Sequence, residues 1–288
     1  SYNANAVTLI DVIDHTISPM GGRLLKRWLA LPLKTIDNIK SRHEVVQYFL
    51  NHDDTHLKIQ NYIKQVGDLE RLISKVATAK VNPREVIQLK NSLEAIVPIK
   101  SLSTQCENSD LRRIGDKFES CEVLREKIKT TLREEAPVNI LKGNSILSSA
   151  SDELESLRDI AHSGKDYLDK MLARESAATG ITSLKIASNN VFGYYIEVRN
   201  SQKDKVPENW IRKQTLVNAE RYITEELKEY EAKILGAEDR ILVIEQTIFT
   251  ELVSWMHSYI MQVQLNAQLI AQLDCLAAFS FLAKQNNY

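Results

Sequence analysis

The spacing of apolar residues in two long stretches constrains this chain more than any other feature. Leu154, Leu157, Ala161, Gly164, Leu168 and Met171 fall at alternating steps of three and four. That is heptad spacing, which places them on one stripe of a helix of about 28 residues, roughly 40 Å long at the usual rise. Leu227, Tyr230, Ile234, Ala237, Ile241, Ile244 and Ile248 repeat the rhythm after Thr224. Leu252, Trp255 and Tyr259 continue it after a step of four replaces a three, a stutter that locally unwinds a supercoil. No proline follows Pro207, so the second helix is free to run about 35 residues, roughly 50 Å. Two such helices about 45 residues apart are expected to pair as an antiparallel coiled coil. Polar residues on their outer faces predict an exposed arm, not buried core.

The insert between the two runs has another character. Thr182–Ser188 and residues 192–200 are rich in β-branched and aromatic residues, and Asn189-Asn190 between them is a hairpin turn signal. Phe192, Tyr194, Ile196 and Val198 alternate with Gly193, Tyr195, Glu197 and Arg199, giving one apolar and one polar strand face. Thr215–Ala219 and Tyr222-Ile223 are expected to supply further short strands.

Before the arm the chain reads as shorter helices. Ser18-Pro19 is an N-cap followed by proline at the first helical position. Leu24, Leu25, Trp28 and Leu29 share a face, and Pro32 stops the helix. Asp37 is expected to cap a second helix that buries Ile39, Val45, Val46 and Phe49. Asn82-Pro83 opens another, with Pro98 expected to close it. Residues 111–132 read as two amphipathic pieces, and 136–150 as a loop. With only 9 glycines and 6 prolines in 288 residues, few breakers oppose helix formation.

The net charge is −1, so any polyanionic partner must be held by a local patch. The insert supplies one. From Thr182 to Ile223 the basic residues Lys185, Arg199, Lys203, Lys205, Arg212, Lys213 and Arg221 outnumber Glu197, Asp204, Glu208 and Glu220, for +3 against −4 in the rest of the chain. Mixed with Asn189, Asn190, Gln214, Thr215 and Asn218, these suit phosphate contact, which positions a duplex and reads little sequence. The plain alternative is a set of solvated charges on a small β module. His52 and His56 have the i, i+4 spacing of a metal-binding helix face, but no third ligand is evident and a surface loop is the simpler reading. Trp28, Trp255 and Tyr259 fall on apolar stripes and are expected in the core. No phosphate-binding P-loop, nucleophile elbow or zinc-protease motif occurs. Together with the rod architecture this predicts no catalytic centre. Cys106, Cys121 and Cys275 are odd in number and form no CxxC pair, as expected in a reducing compartment. No uninterrupted apolar run of membrane-spanning length is evident, so no membrane partner is expected.

Several motifs carry a family resemblance. Asp14–Arg23, continuing through Trp28 to Leu33, resembles the opening of the core domain of the MutS family of DNA mismatch repair proteins. Gly67-Asp-Leu-Glu-Arg71 is similar to that family's next core signature, and Phe192–Val198 to its clamp strand. Arg212–Thr224 resembles its clamp-to-lever junction, and Glu226–Glu231 the start of its lever helix. The resemblance covers nearly the whole chain from about Thr8, with its motifs in the family's order.

It implies a mainly α fold: a helical core with a long antiparallel two-helix lever carrying a small antiparallel β clamp at its tip. The corresponding parts are residues 1–150 for helical core, 151–178 for the outward lever helix, 179–223 for the clamp, 224–260 for the returning helix and 261–288 for the end of the core. The expected partner is double-stranded DNA. By motif, Arg212, Lys213, Gln214, Asn218 and Arg221 sit where clamp residues lie near DNA, and charge and strand position add Lys185, Asn189 and Arg199. The family's mismatch-reading, connector and ATPase parts have no counterpart in these residues. The chain is therefore expected to be a middle piece, monomeric and without a cofactor of its own. In the full-length protein the resemblance implies ATP and Mg, a homodimer, a MutL-type partner and a bacterial cytoplasmic, nucleoid-associated location. The rival expectation is a coiled-coil structural adaptor whose β tip binds a protein; a nucleotide-independent DNA- or RNA-binding module is a second.

Overall fold

Short polar caps punctuate the first half of the chain into helices. The computed structural model describes residues 7–189 and 193–288, the side chains of residues 164 and 165 excepted. In chain order the helices are α1 (Leu9–Ile13), α2 (Pro19–Ala30), α3 (Ile36–Asn51), α4 (Asp53–Ile63), α5 (Leu69–Ala77), α6 (Pro83–Thr104), α7 (Ser109–Asp116), α8 (Glu122–Thr131), α9 (Asp152–Thr179), α10 (Glu225–Met256) and α11 (Ile260–Asn286). Strands β1 (Lys185–Asn189), β2 (Gly193–Arg199), β3 (Ile211–Thr215) and β4 (Ala219–Ile223) lie between α9 and α10. The Ser18 hydroxyl accepts from the Gly21 N–H at 3.0 Å, and Asn82 forms a reciprocal capping box with Glu85. Contacts divide the chain into two units, Ser1–Ile140 with Phe249–Tyr288, and Leu141–Ile248.

The first unit is all helical, with α11 at its centre packing on α2, α3, α4 and α5. Leu269, Ile270, Leu273 and Leu276 of α11 are buried, as are Leu25 of α2, Phe49 of α3, Ile59 of α4 and Leu93 of α6. One carboxylate sits in this apolar setting. Asp274 is 1% exposed and accepts from the Ile17 N–H at 3.0 Å, the Ser18 N–H at 2.8 Å and the Ser18 hydroxyl at 2.6 Å. It thereby fastens the segment before α2 to the central helix. Cys106, Cys121 and Cys275 are all buried, and burial pushes the Cys121 thiol up to about 11 and that of Cys275 up to about 12.

Several details differ from the sequence reading. Helix α6 continues through Pro98 to Thr104. A proline there forfeits one backbone hydrogen bond, but Ile99 and Ser103 beyond it are fully buried, so packing overrides the local break. Thr35 occupies the N-cap of α3 without a side-chain cap bond, and Asp37 lies in the first turn. His52 lies at the break between α3 and α4, and His56 lies within α4. His52 stacks on Tyr48 while His56 is buried against Phe49, so the two rings serve different contacts. Trp28 is half-buried and lines a cavity. The returning helix breaks into a 3-10 turn at His257–Tyr259. The helical run Glu225–Asn286 does hold an 18-residue window of mean hydropathy 1.3, long and apolar enough to cross a membrane; 67% of that window is buried within the protein, as in a core helix.

In the second unit α9 and α10 run antiparallel. Glu153 meets Arg240 at 3.0 Å, Tyr167 stacks on Tyr230 with centroids 3.6 Å apart, and Arg174 meets Glu226 at 2.6 Å. Seven residues of the heptad stripe, Leu154, Leu168, Met171, Leu227, Ile234, Ala237 and Ile244, are under 10% exposed, while Leu157, Ala161, Tyr230, Ile241 and Ile248 are half-buried. Glu245 of α10 is fully buried, accepting from the Asn144 and Ser145 N–H groups at 3.0 and 2.9 Å and from Arg158 of α9 at 2.6 Å. The same guanidinium donates to the Ile146 carbonyl and the Ser148 hydroxyl. A single carboxylate thus clasps a loop and both helices.

The sheet has strand order β1-β2-β4-β3, antiparallel throughout. Ile196, Val198 and Tyr222 share one face and pack with Trp210 on Leu168, Met171, Leu227 and Ile234 of the helix pair. The alternation in β2 therefore does its expected work for the described residues, whereas Asn190 and Phe192 lie outside them. Residues 216–218, expected within a strand, form the β3–β4 turn, closed by the Leu216 N–H donating to the Ala219 carbonyl at 2.8 Å. Gly193 opens β2 with φ +68°, and a Cβ there would overlap the Glu231 carboxylate. Gly193→Ala is expected to lower unfolding free energy by about 2 kcal/mol. Gly193→Ala combined with Glu231→Ala should recover the steric share alone, a comparison that urea denaturation of the four proteins can make.

Candidate nucleic-acid interface

Register decides which polar residues of the sheet meet solvent. One cross-strand row on the face away from the helices contains Lys185, Glu197, Arg221 and Gln214, one residue from each strand. Within it Arg221 donates to Glu197 at 3.2 Å and to Gln214 at 2.9 Å, and its guanidinium lies 4.3 Å from the Tyr195 ring centroid. The Arg221 side chain is only 21% exposed. These contacts occupy its fork and explain why Tyr195, expected on the polar face, is buried. Arg221 and Gln214 thus tie strands together in this structure.

Arg212 pairs in register with Tyr222, on the other face, and sits 3.4 Å from Glu220 with 61% of its side chain exposed. Glu220 is buried and also accepts from the Tyr222 hydroxyl, whose pKa burial, more than this bond, pushes up to about 12. Arg212 is therefore a half-committed cation at the sheet's edge. Lys213 is the extra residue of a β-bulge, since Arg212 pairs with Tyr222 and Gln214 with Arg221. A bulge turns its residue out of the ladder, and Lys213 is exposed with no ion pair among the described residues.

The antiparallel order brings the start of β1, the end of β2 and the β3–β4 turn to one end of the sheet. Lys185, Arg199 and Asn218 are exposed there. Arg199 pairs with Ala219, next to Asn218, and the following residue, Asn200, holds the turn by donating to the Val217 carbonyl at 2.9 Å and the Asn218 carbonyl at 3.1 Å. Lys203 extends the cationic end from the 3-10 segment Asn200–Lys205. Asn189 lies half-buried at the opposite end of β1. Among the described residues, no carboxylate pairs with Lys185, Arg199, Lys203 or Lys213. The pinning role of Asn200 and the outward place of Lys203 were not singled out by the sequence, although Lys203 belongs to its basic count. Val217, 92% exposed at the turn, was equally unmarked.

No group of three or more His, Cys, Asp or Glu side chains able to hold a metal is found among the described residues. The arrangement offers separated positive charges and neutral donors around one end of a rigid sheet, which is chemistry for contacting a polyanion.

The fold defines a class: a mainly α protein in which an antiparallel helix pair carries an inserted four-stranded sheet. Residues 2–280 match the family model of MutS domain III. Over 288 residues the chain is 64% identical to the DNA mismatch repair protein MutS of Flavobacterium psychrophilum and 62% identical to that of Flavobacterium johnsoniae, covering 100% of this chain and 33% of each relative. It is 47% identical to that of Porphyromonas gingivalis over 286 residues, 99% of this chain and 32% of the relative. The chain belongs to the MutS domain III family and spans about a third of the length of these relatives.

Proposed function

We propose that the sheet grips duplex DNA through its phosphates, without reading sequence, and that the α9–α10 pair transmits displacement between this clamp and a nucleotide site elsewhere in a MutS-type mismatch repair protein. The exposed Lys185, Arg199 and Lys203 near the Asn218 end, with Lys213 bulged out of the β3 edge, carry this reading, since none of them has a carboxylate partner among the described residues. Arg212, Gln214 and Arg221 adjoin these on β3 and β4, Arg221 from its place in the strand-tying row, and Asn189, at the far end of β1, is the outlying member of the proposed set. Packed helices move as units, which suits a transmitting element. In this reading the chain acts mechanically and is not itself an enzyme. ATP and Mg, dimerisation and a MutL-type partner belong to the whole protein, which works on DNA in the bacterial cytoplasm.

The test is duplex binding by this chain across a salt series. Affinity should fall with rising salt, and Arg199→Glu with Lys213→Glu should make the slope of log K on log salt about 2 units shallower. The loss should be uniform across duplex sequences. Unchanged slope and affinity in the double variant would remove the phosphate grip. The exposed Val217 favours a second reading, an adaptor whose turn docks on a protein. That reading predicts binding insensitive to Arg199 and Lys213 but lost in Val217→Asp.

A further inference from the structure

The helical unit holds an arginine whose surroundings differ from those of its neighbours. Arg23 is satisfied by Asp68 and Glu70, and Arg113 by Asp110 and Ser41. The half-buried Arg42 of α3 lies flat over the Trp28 ring of α2, 3.4 Å from its centroid. Among the described residues it has no hydrogen-bond or ion-pair partner, and burial holds its pKa below the ordinary value. A guanidinium removed from water without an acceptor carries a desolvation cost that an incoming anion would offset.

Arg42 borders a cavity of about 540 Å³ that also receives Arg27, exposed and unpaired among the described residues, with Gln268 and Gln272 one turn apart on the α11 wall. Glu70 reaches the same cavity but is committed to Arg23. A second cavity of about 310 Å³ shares Trp28 and Arg42 and is otherwise mainly apolar, with Leu29, Ile39, Val46 and Phe279 in its wall. The stacked pair is thus a ridge between a cationic, amide-lined hollow and an apolar one.

From this juxtaposition we infer that the α2–α3–α11 face is a docking site for an acidic, amphipathic polypeptide segment, which places a carboxylate between Arg27 and Arg42 and an apolar side chain in the adjoining hollow. The fork of a guanidinium matches a carboxylate, and the two glutamine amides can donate to its remaining lone pairs. A nucleic acid supplies the anion but no aliphatic group for the second hollow. A Glu and a Leu one helical turn apart satisfy both at once.

The test follows the Trp28 indole N–H signal in two-dimensional NMR of this chain, assigned through Trp28→Phe. The probes are a short capped helical peptide with Glu and Leu one turn apart, the same peptide with Lys replacing Glu, inorganic phosphate and duplex DNA. The acidic peptide should shift the Trp28 signal saturably, the lysine peptide should not, and Arg27→Gln or Arg42→Gln should weaken binding roughly tenfold. An unmoved signal at millimolar acidic peptide would overturn the inference. So would an equal response to the lysine peptide, or displacement of the acidic peptide by phosphate or duplex at comparable concentration, which would mark a phosphate site instead. The two peptides are compared on the unaltered protein, so the outcome does not depend on a variant folding.

Discussion

Glu245→Ala is expected to lower the stability of the helix pair by about 3–5 kcal/mol, the usual result of removing one partner from a buried ion pair. The carboxylate is fully buried and receives the Arg158 guanidinium and the Asn144 and Ser145 N–H groups. Alanine would leave a mostly buried cation and two backbone donors without their acceptor. Local opening should therefore rise, and hydrogen exchange resolved to peptides from α9 and from residues 144–148 is the measurement. Arg158→Met with Glu245→Leu removes both charges and fills the volume, and should recover the share due to the orphaned guanidinium, while the Asn144 and Ser145 N–H groups stay without their acceptor. A change under about 1 kcal/mol for Glu245→Ala would show that the clasp is incidental to stability.

Asp274→Ala should cost the all-helical unit about 3–4 kcal/mol, since it orphans the buried Ser18 hydroxyl and N–H together with the Ile17 N–H. Urea unfolding followed by circular dichroism checks it. The same residue predicts a pH effect of unusual sign. Burial, the largest influence, raises its pKa above 3.8, against the hydrogen bonds from Ser18 and Ile17 that lower it. The folded state then holds this proton more tightly than the unfolded chain does. Its contribution to stability falls as pH rises from the unfolded pKa through the raised folded one, and is fully lost above that. The opposite contribution comes from Asp68, whose pKa is lowered chiefly by Arg23. Comparing the pH profile of the unaltered chain with that of Asp274→Asn isolates the first component. A parallel pair of profiles would contradict it.

The parts legible in the sequence were those written as repeating patterns. Three-four spacing marks α9 and α10 because one stripe of each must leave water, and alternation marks β2 because its two faces meet different surroundings. Polar structure was harder to see. β3 reads Ile-Arg-Lys-Gln-Thr and has no apolar face of its own; only pairing with β4 makes it a strand. Glu245 stands in the apolar run Ile241–Ile248, where nothing local says whether its acceptor will be water or a loop about 100 residues earlier. Pro98 breaks the local rule because the buried residues after it keep the helix going. For the candidate interface, composition located the cations, but it could not tell the bulged, outward Lys213 from Arg221, which is bound to Glu197 and Gln214. That difference arises from cross-strand register, a long-range quantity.

The depth at which the three thiols lie has a practical consequence. A cysteine reacts as its thiolate, and Cys121 and Cys275 are both screened by packing and held far above neutral pKa. A maleimide dye offered to Val217→Cys near neutral pH should therefore go overwhelmingly to the hairpin turn with every native cysteine left in place. Such a singly labelled chain would turn the question of how closely the turn approaches a duplex into a distance, read by energy transfer to a dye on the DNA end.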